Sequence, residues 1–410
     1  MGTDPTRGET VGDSGAIPSP RPTIECCGAA EFVELATYQR YAQAAAQPER
    51  ELCCPSSYDP RYLEAIPEEV LQRDYGCGDP TPWLRTGERV LDLGSGAGKI
   101  CFVAAQRVGP EGYVLGVDCN EEMLALARRA ASTVAQRLGY ANVAFRKGLI
   151  QDLRLDLEAL EQALAQEPVR TASDWLRLRA LEDKLRREQP LVADASVDCV
   201  VSSCVLNLVR PQDRRQLFQE MHRVLRPGGR AIISDIVADE DVPDSLQSDP
   251  KLWSGCIAGA FREDSFLKAF EEAGFYRITL AQRASEPWRI VEGIEFRSVT
   301  VIAYKGTPGP CLDRNQAVIY RGPFLKVEDD EGHVFYRGER MAVCDKTYHL
   351  LMREPYRGMF EPIAPRVEVP LDQAPPFRCE PAARRHPRQS KGEKYRVTQN
   401  NDACCGSSCC

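Results

Sequence analysis

Residues 90–100 read VLDLGSGAGKI, an apolar run that meets three glycines and then enters a segment with helical patterning. Glycines there let the backbone turn sharply and approach a ligand between a strand and a helix. Before them ERVLDLG reads as a buried strand, and after them KICFVAAQRVG reads as a helix. The alternation continues. GYVLGVD is a second strand, EEMLALARRAASTVAQRLG a second helix and VAFRKG a third strand. SVDCVVSSCVLNLV is a fourth strand, RRQLFQEMHRVL a helix stopped by Pro227-Gly228-Gly229, and RAIISDIV a fifth strand. Strands alternating with helices predict an α/β fold with a mostly parallel, doubly wound sheet.

Outside this core, residues 152–192 read as an inserted pair of helices with a solvated charged surface, and 28–46 and 250–275 also read as helical. RIVEGIEFRSVTVIAYKG reads as strands. DDEG between β-branched and aromatic runs predicts a hairpin in a small β-rich module. The expected divisions are 1–50, a disordered then helical N-terminal segment; 51–240, the nucleotide-binding domain; 241–310, an α+β substrate region; 311–370, the C-terminal module; and 371–410, a flexible Pro- and Arg-rich tail ending in cysteines.

A formal net charge of −8 argues against a general nucleic-acid surface. No apolar run reaches the roughly 18 residues of a bilayer span. The first residues lack the basic-then-apolar pattern of a secretory signal, so a cytoplasmic protein away from membranes is expected. There its 17 cysteines should be free thiols rather than a disulfide scaffold.

The turn is more informative with its flanks. Asp92 closes the first strand, and Asp118 closes the second about 20 residues after the glycines, where a carboxylate can accept from both hydroxyls of a ribose. Dinucleotide folds share that carboxylate but usually space their glycines G-x-G-x-x-G, whereas this chain has G-S-G-A-G. The stretch DLGSGAG and the later PGG turn resemble the class I S-adenosylmethionine-dependent methyltransferases. The resemblance implies a Rossmann-like fold and a donor site at Asp92, Gly94, Ser95, Gly96 and Asp118, with Leu149 and Ile150 around the adenine.

In a doubly wound sheet ligands sit beyond the carboxyl ends of the strands, which places Cys204 and Asn207 toward the methyl acceptor. Cys77 in YGCGDP and Cys256 in LWSGCIAGAF are further candidates. With these stretches, IPEEVLQRDYGCG and DASVDCVVSSCVLNLV, residues from about 51 to 305 resemble the arsenite S-adenosylmethionine methyltransferases. The resemblance implies that Cys77, Cys204 and Cys256 clasp trivalent arsenic, that Tyr75 lies along the donor, and that Cys53 or Cys54 relays arsenic or closes a disulfide. It also implies a thiol reductant such as glutathione or thioredoxin, arsenite or its thiol conjugates as substrate, and a monomer. Thiolates select a thiophilic element, and the arsenic lone pair needs no general base. This chain departs from the pattern at Ser203, Leu149 and Gln151.

Cys404, Cys405, Cys409 and Cys410 in the terminal DACCGSSCC could hold a soft ion as a capture arm. Cys101, Cys119 and Cys199 read as packing, and Cys311 and Cys344 as core thiols more than ligands. Methylation of antimony, selenium, tellurium or a small thiol is an alternative function. A non-enzymatic metalloid-binding protein is another.

Overall fold

The computed structural model describes residues 33–52, 57–379 and 381–399. The five expected strands are β1 (Arg89–Leu93), β2 (Tyr113–Asp118), β3 (Val143–Lys147), β4 (Val197–Ser203) and β5 (Leu225–Ala238). They are followed by β6 (Phe261–Arg262), β7 (Phe275–Arg283), β8 (Arg289–Val291) and β9 (Ile294–Lys305). All join one sheet with central order β3-β2-β1-β4-β5-β9-β7; β6 pairs with β5 and β8 with β9. β3 to β5 are parallel, while β9 runs antiparallel to both β5 and β7.

Both faces of the sheet are covered, as the apolar character of the strands requires. Side chains alternate across a strand, so Val90 packs into one core and its neighbour Leu91 into the other. Helices Lys99–Val108 and Glu121–Leu138 fill the first core with Phe102, Leu124 and Ala127. Helices Pro211–Val224 and Glu263–Glu272 fill the second with Phe218, Met221 and Phe270. The Asn120 side chain accepts from Met123 N at 3.1 Å and starts the helix after β2, which fixes where Asp118 stands.

The insertion forms the two expected helices, Leu157–Gln166 and Ala172–Glu188. The second buries no residue and is anchored by an Arg186–Asp152 pair at 2.9 Å.

Three expectations change. Residues 250–275 are not one helix. Pro250–Ser254 stops at Gly255, and the chain turns through Cys256 and Gly259 before β6. A Cβ at Gly259 would lie 2.0 Å from Asn207 O, so only glycine permits that close crossing. Residues 241–310 do not form a separate region either, since β9 pairs with β5 from Arg230↔Tyr304 to Ala238↔Phe296 and completes the same sheet. Nor is the chain beyond 371 a loose tail where it is described. Arg385 is buried, ion-paired with Asp313 at 2.6 Å and donating to Gln316 O at 3.2 Å, and Pro387–Lys391 is helical. Its basic composition suggested a solvated arm; pairing lets the guanidinium be buried instead.

The C-terminal module contains β10 (Ala317–Tyr320), β11 (Lys326–Glu328), β12 (Val334–Tyr336), β13 (Arg340–Ala342) and β14 (Phe360–Ile363). β13-β10-β14 form an antiparallel sheet, and β11 and β12 form the hairpin around DDEG. No helix among the described residues is long and apolar enough to cross a membrane.

Candidate active site

β1, β2 and β3 run outward to one side, and β4 and β5 to the other. The carboxyl ends of β1 and β4 therefore border a crevice. Leu93 pairs with Ser202, whose Oγ donates to Leu93 O at 2.9 Å and locks the two strand ends together. A cavity of about 570 Å³ opens there, within the usual range for a small-molecule site.

Its floor is the glycine turn. Gly94 has φ +69°, and a Cβ on it would lie 2.4 Å from Val205 Cγ1, beside Cys204. Gly96 has φ +48° and faces open space. Asp118 accepts from Gly96 N and from Asn120 N, both at 2.8 Å, one on each carboxylate oxygen. Each oxygen keeps a second acceptor direction. Burial pushes the Asp118 carboxyl above its usual range. Asp92 also lines the cavity; Cys101 Sγ donates to it at 3.1 Å, and burial pushes it up to about 7. Leu149 and Ile150 line the cavity as well. Tyr75 lines it too, its hydroxyl donating to Ala44 O at 3.0 Å and accepting from Glu49 N at 3.1 Å. The buried Ser95 Oγ has no hydrogen-bond partner among the described residues. An unmatched buried hydroxyl, a carboxylate at the end of β2 and an apolar wall fit an adenosyl group.

The three candidate thiols converge beside this cavity. Cys77, Cys204 and Cys256 are 3%, 5% and 3% exposed and share one cluster with Ile236, Ile257 and Phe296. Cys256 Sγ donates to Cys204 O at 3.2 Å. Contact with the Cys256 and Cys77 thiols, and then burial, hold Cys204 well above an ordinary thiol; burial also raises Cys77. Of the three, Cys204 lines the cavity, so it links the cavity to the thiol cluster. Cys204 and Cys256 have φ +63° and +61°, left-handed values that L side chains rarely adopt.

Four residues that the sequence reading left without a site role complete the arrangement. Asp235 is fully buried, with a carboxylate oxygen within 4.8 Å of the sulfurs of Cys77 and Cys204. It accepts from Leu206 N, Asn207 Nδ2 and Ile236 N at 2.9, 2.9 and 2.8 Å, yet burial still pushes it up to about 7. A lone acid inside the apolar run AIISDIV was its signal. Ser203 Oγ accepts from Cys77 N at 3.1 Å and donates to Gly78 O at 2.9 Å, holding the Cys77 turn against β4. Thr37 and Tyr41, on helix Val33–Ala46, line the cavity from above. Their signal was weak: threonine and tyrosine spaced by four, as on any half-buried helix.

Asn207 does not reach the cavity. It is fully buried and donates to Asp235 Oδ1, Ile236 O and Cys256 O, bracing both thiol segments from behind. Cys119 lines the cavity rather than only packing behind Asp118. Cys53, Cys54, Cys404, Cys405, Cys409 and Cys410 lie outside the described residues.

The methyltransferase domain family matches residues 84–167 and 181–274, and a domain of unknown function matches 307–395. The chain is 32% identical to an arsenite methyltransferase of Aquipseudomonas alcaligenes over 342 residues, covering 79% of this chain and 88% of that protein. It is 29% identical to the arsenite methyltransferase of Mus musculus, covering 77% of each. Its structure matches that of CrArsM, an arsenic(III) S-adenosylmethionine methyltransferase from Chlamydomonas reinhardtii, with a TM-score of 0.51 and 27% identity. That match covers 77% of this chain and 99% of the other.

Proposed function

The chain belongs to the arsenite methyltransferase family, and from that premise we propose how its own residues carry a methyl group to trivalent arsenic. The protein is an S-adenosylmethionine-dependent enzyme with arsenite as substrate. The observation that carries the mechanism is the convergence of Cys77, Cys204 and Cys256 at the edge of the donor cavity, with Cys204 shared by both.

Arsenous acid condenses with the three thiols. Each S–H proton leaves with an arsenic-bound hydroxyl as water, and three As–S bonds form. No net proton is released, so the surroundings that favour the protonated forms of Cys77 and Cys204 do not oppose capture. Three sulfurs satisfy pyramidal arsenic and leave its lone pair free. When bound, S-adenosylmethionine supplies a methyl on a positively charged sulfur, which keeps the bonding pair as the arsenic lone pair takes the methyl. Asp118 and Ser95 hold the nucleoside end, Gly94 and Gly96 let the backbone close on it, and Leu149 and Ile150 cover the base. Tyr75 and Tyr41 exclude water above the reacting atoms. The protein's contribution is proximity and orientation.

The transfer leaves positive charge on arsenic, and Asp235 is the anion placed to meet it. Asp235→Asn should slow methylation by roughly 10- to 100-fold while donor affinity holds, since a unit charge at this range is worth a few kcal/mol at most. The wild-type rate should rise as pH crosses about 7, where Asp235 loses its proton, and the variant should lack that rise. Fold stability should move the other way. The buried acid binds a proton that the unfolded chain has already lost, so its contribution fades between about 4 and 7 as pH rises. An unchanged rate in Asp235→Asn would remove this role.

Methyl transfer formally oxidises arsenic by two electrons. Two thiols of a reductant of the glutathione or thioredoxin kind return it to the trivalent state as they form a disulfide, with Cys53 or Cys54 as the relay. The test is incubation of the purified chain with labelled donor, arsenite and glutathione. Labelled methylarsenicals are expected; label in glutathione or another thiol alone would overturn the arsenic assignment.

A further inference from the structure

The C-terminal module carries thiols that the methylation site does not use. The sulfurs of Cys311, Cys344 and Cys379 lie within 4.8 Å of one another. They come from three separate segments that backbone hydrogen bonds draw together. Phe377 N donates to Cys311 O at 2.8 Å, Asp313 N to Pro375 O at 2.8 Å, and Asp345 N to Leu312 O at 2.9 Å. Cys344 is 1% exposed, and its sulfur accepts from Thr347 N at 3.4 Å. Cys311 and Cys379 are half-buried, so the cluster is reachable from solvent on one side. Burial and the two neighbouring thiols push Cys379 up to about 12, which keeps it protonated and clear of like-charge repulsion.

We propose that Cys311, Cys344 and Cys379 form a second, non-catalytic arsenite site, in which three thiols bind one trivalent arsenic. Its position is set by three sequence-distant segments, which chance packing of core cysteines does not require. Among the described residues no His, Asp or Glu joins the three sulfurs at that spacing. The nearby Asp345 carboxylate is engaged with Arg314 at 2.9 Å. Zinc in a structural site takes four protein ligands, whereas a pyramidal trivalent centre is complete with three. Binding follows the same balance as at the active site: three S–H bonds and three As–OH bonds become three As–S bonds and three waters, with no change of oxidation state. The site lies within the matched domain of unknown function, apart from the donor cavity. The inference rests on arsenite being the substrate, and not on which thiols present it to the donor.

The test reads each cysteine separately, because other thiols of the full chain can also take arsenic. The reduced full-length protein is alkylated with and without arsenite, and peptides are quantified by mass spectrometry. Arsenite should slow labelling of Cys311 and Cys379 together by about tenfold or more, with one common midpoint. Cys344→Ser should abolish the protection of both; serine is a good helix cap, so the local fold should hold. Cys379→Ser, at a more exposed position, should free Cys311 to the same extent. Methylation at saturating arsenite should be unchanged in both variants, which separates failure of this site from failure of the catalytic one. Labelling rates indifferent to arsenite would overturn the proposal. So would protection that survives in Cys344→Ser, or protection by zinc and not by arsenite.

Discussion

Cys204→Ser is expected to abolish arsenite methylation while the fold and donor affinity remain those of the wild type. The substitution is nearly isosteric, so the cluster with Ile236 and Phe296 stays filled. What is lost is a soft ligand: a hydroxyl is too hard and too weakly acidic to hold trivalent arsenic as sulfur does. Cys204 is the thiol shared by the donor cavity and the cluster, so even an arsenic held by the other two would no longer face the methyl. Cys256→Ser should behave alike. Cys77→Ser should fail with arsenite but can retain turnover with methylarsenite, whose methyl group already fills one valence. Methylated products are counted by mass spectrometry, with thermal unfolding and donor calorimetry as controls. Normal turnover in the Cys204 or the Cys256 variant would refute the trithiol arrangement.

Asp118→Ala should weaken donor binding by about 1.5–3 kcal/mol, or roughly 10- to 150-fold in Kd, through loss of a charged acceptor. The effect should fall mainly on KM for the donor, because the role proposed for Asp118 is to hold the nucleoside end. Alanine also orphans Gly96 N and Asn120 N, which both donate to this carboxylate. Asp118→Asn is therefore the companion variant: it keeps the shape and one acceptor oxygen and should recover part of the affinity. Calorimetry showing wild-type affinity in Asp118→Ala would sink the assignment.

The central sheet was legible because its signals are local. Alternating strands and helices, glycines after β1 and an acid ending β2 lie within a few residues of one another in the chain. The thiol cluster was legible only through resemblance, since Cys77, Cys204 and Cys256 meet solely by topology. Asp235 was not legible as a site residue. An acid in a buried strand has no local mark of what lies across from it, and its neighbours are the ends of other strands. The same limit hid Ser203, which read only as a departure from a pattern until its hydroxyl was found bracing the Cys77 turn. β9 was misplaced for a related reason: strand patterning does not say which sheet a strand joins, and antiparallel pairing to β5 leaves no trace in spacing. The buried Arg385 defeated composition, which records charge but not pairing.

The left-handed backbone at Cys204 and Cys256 sets stability and chemistry against each other. Glycine would lie easily at either position, and a β-carbon there is held at a conformational disadvantage of roughly 1–2 kcal/mol. A stabilisation campaign guided by backbone angles alone would select these two residues for replacement by glycine. Any hardier protein it produced would have given up two of the three sulfurs proposed to hold arsenic, so a screen that scored only heat resistance would enrich for dead enzyme.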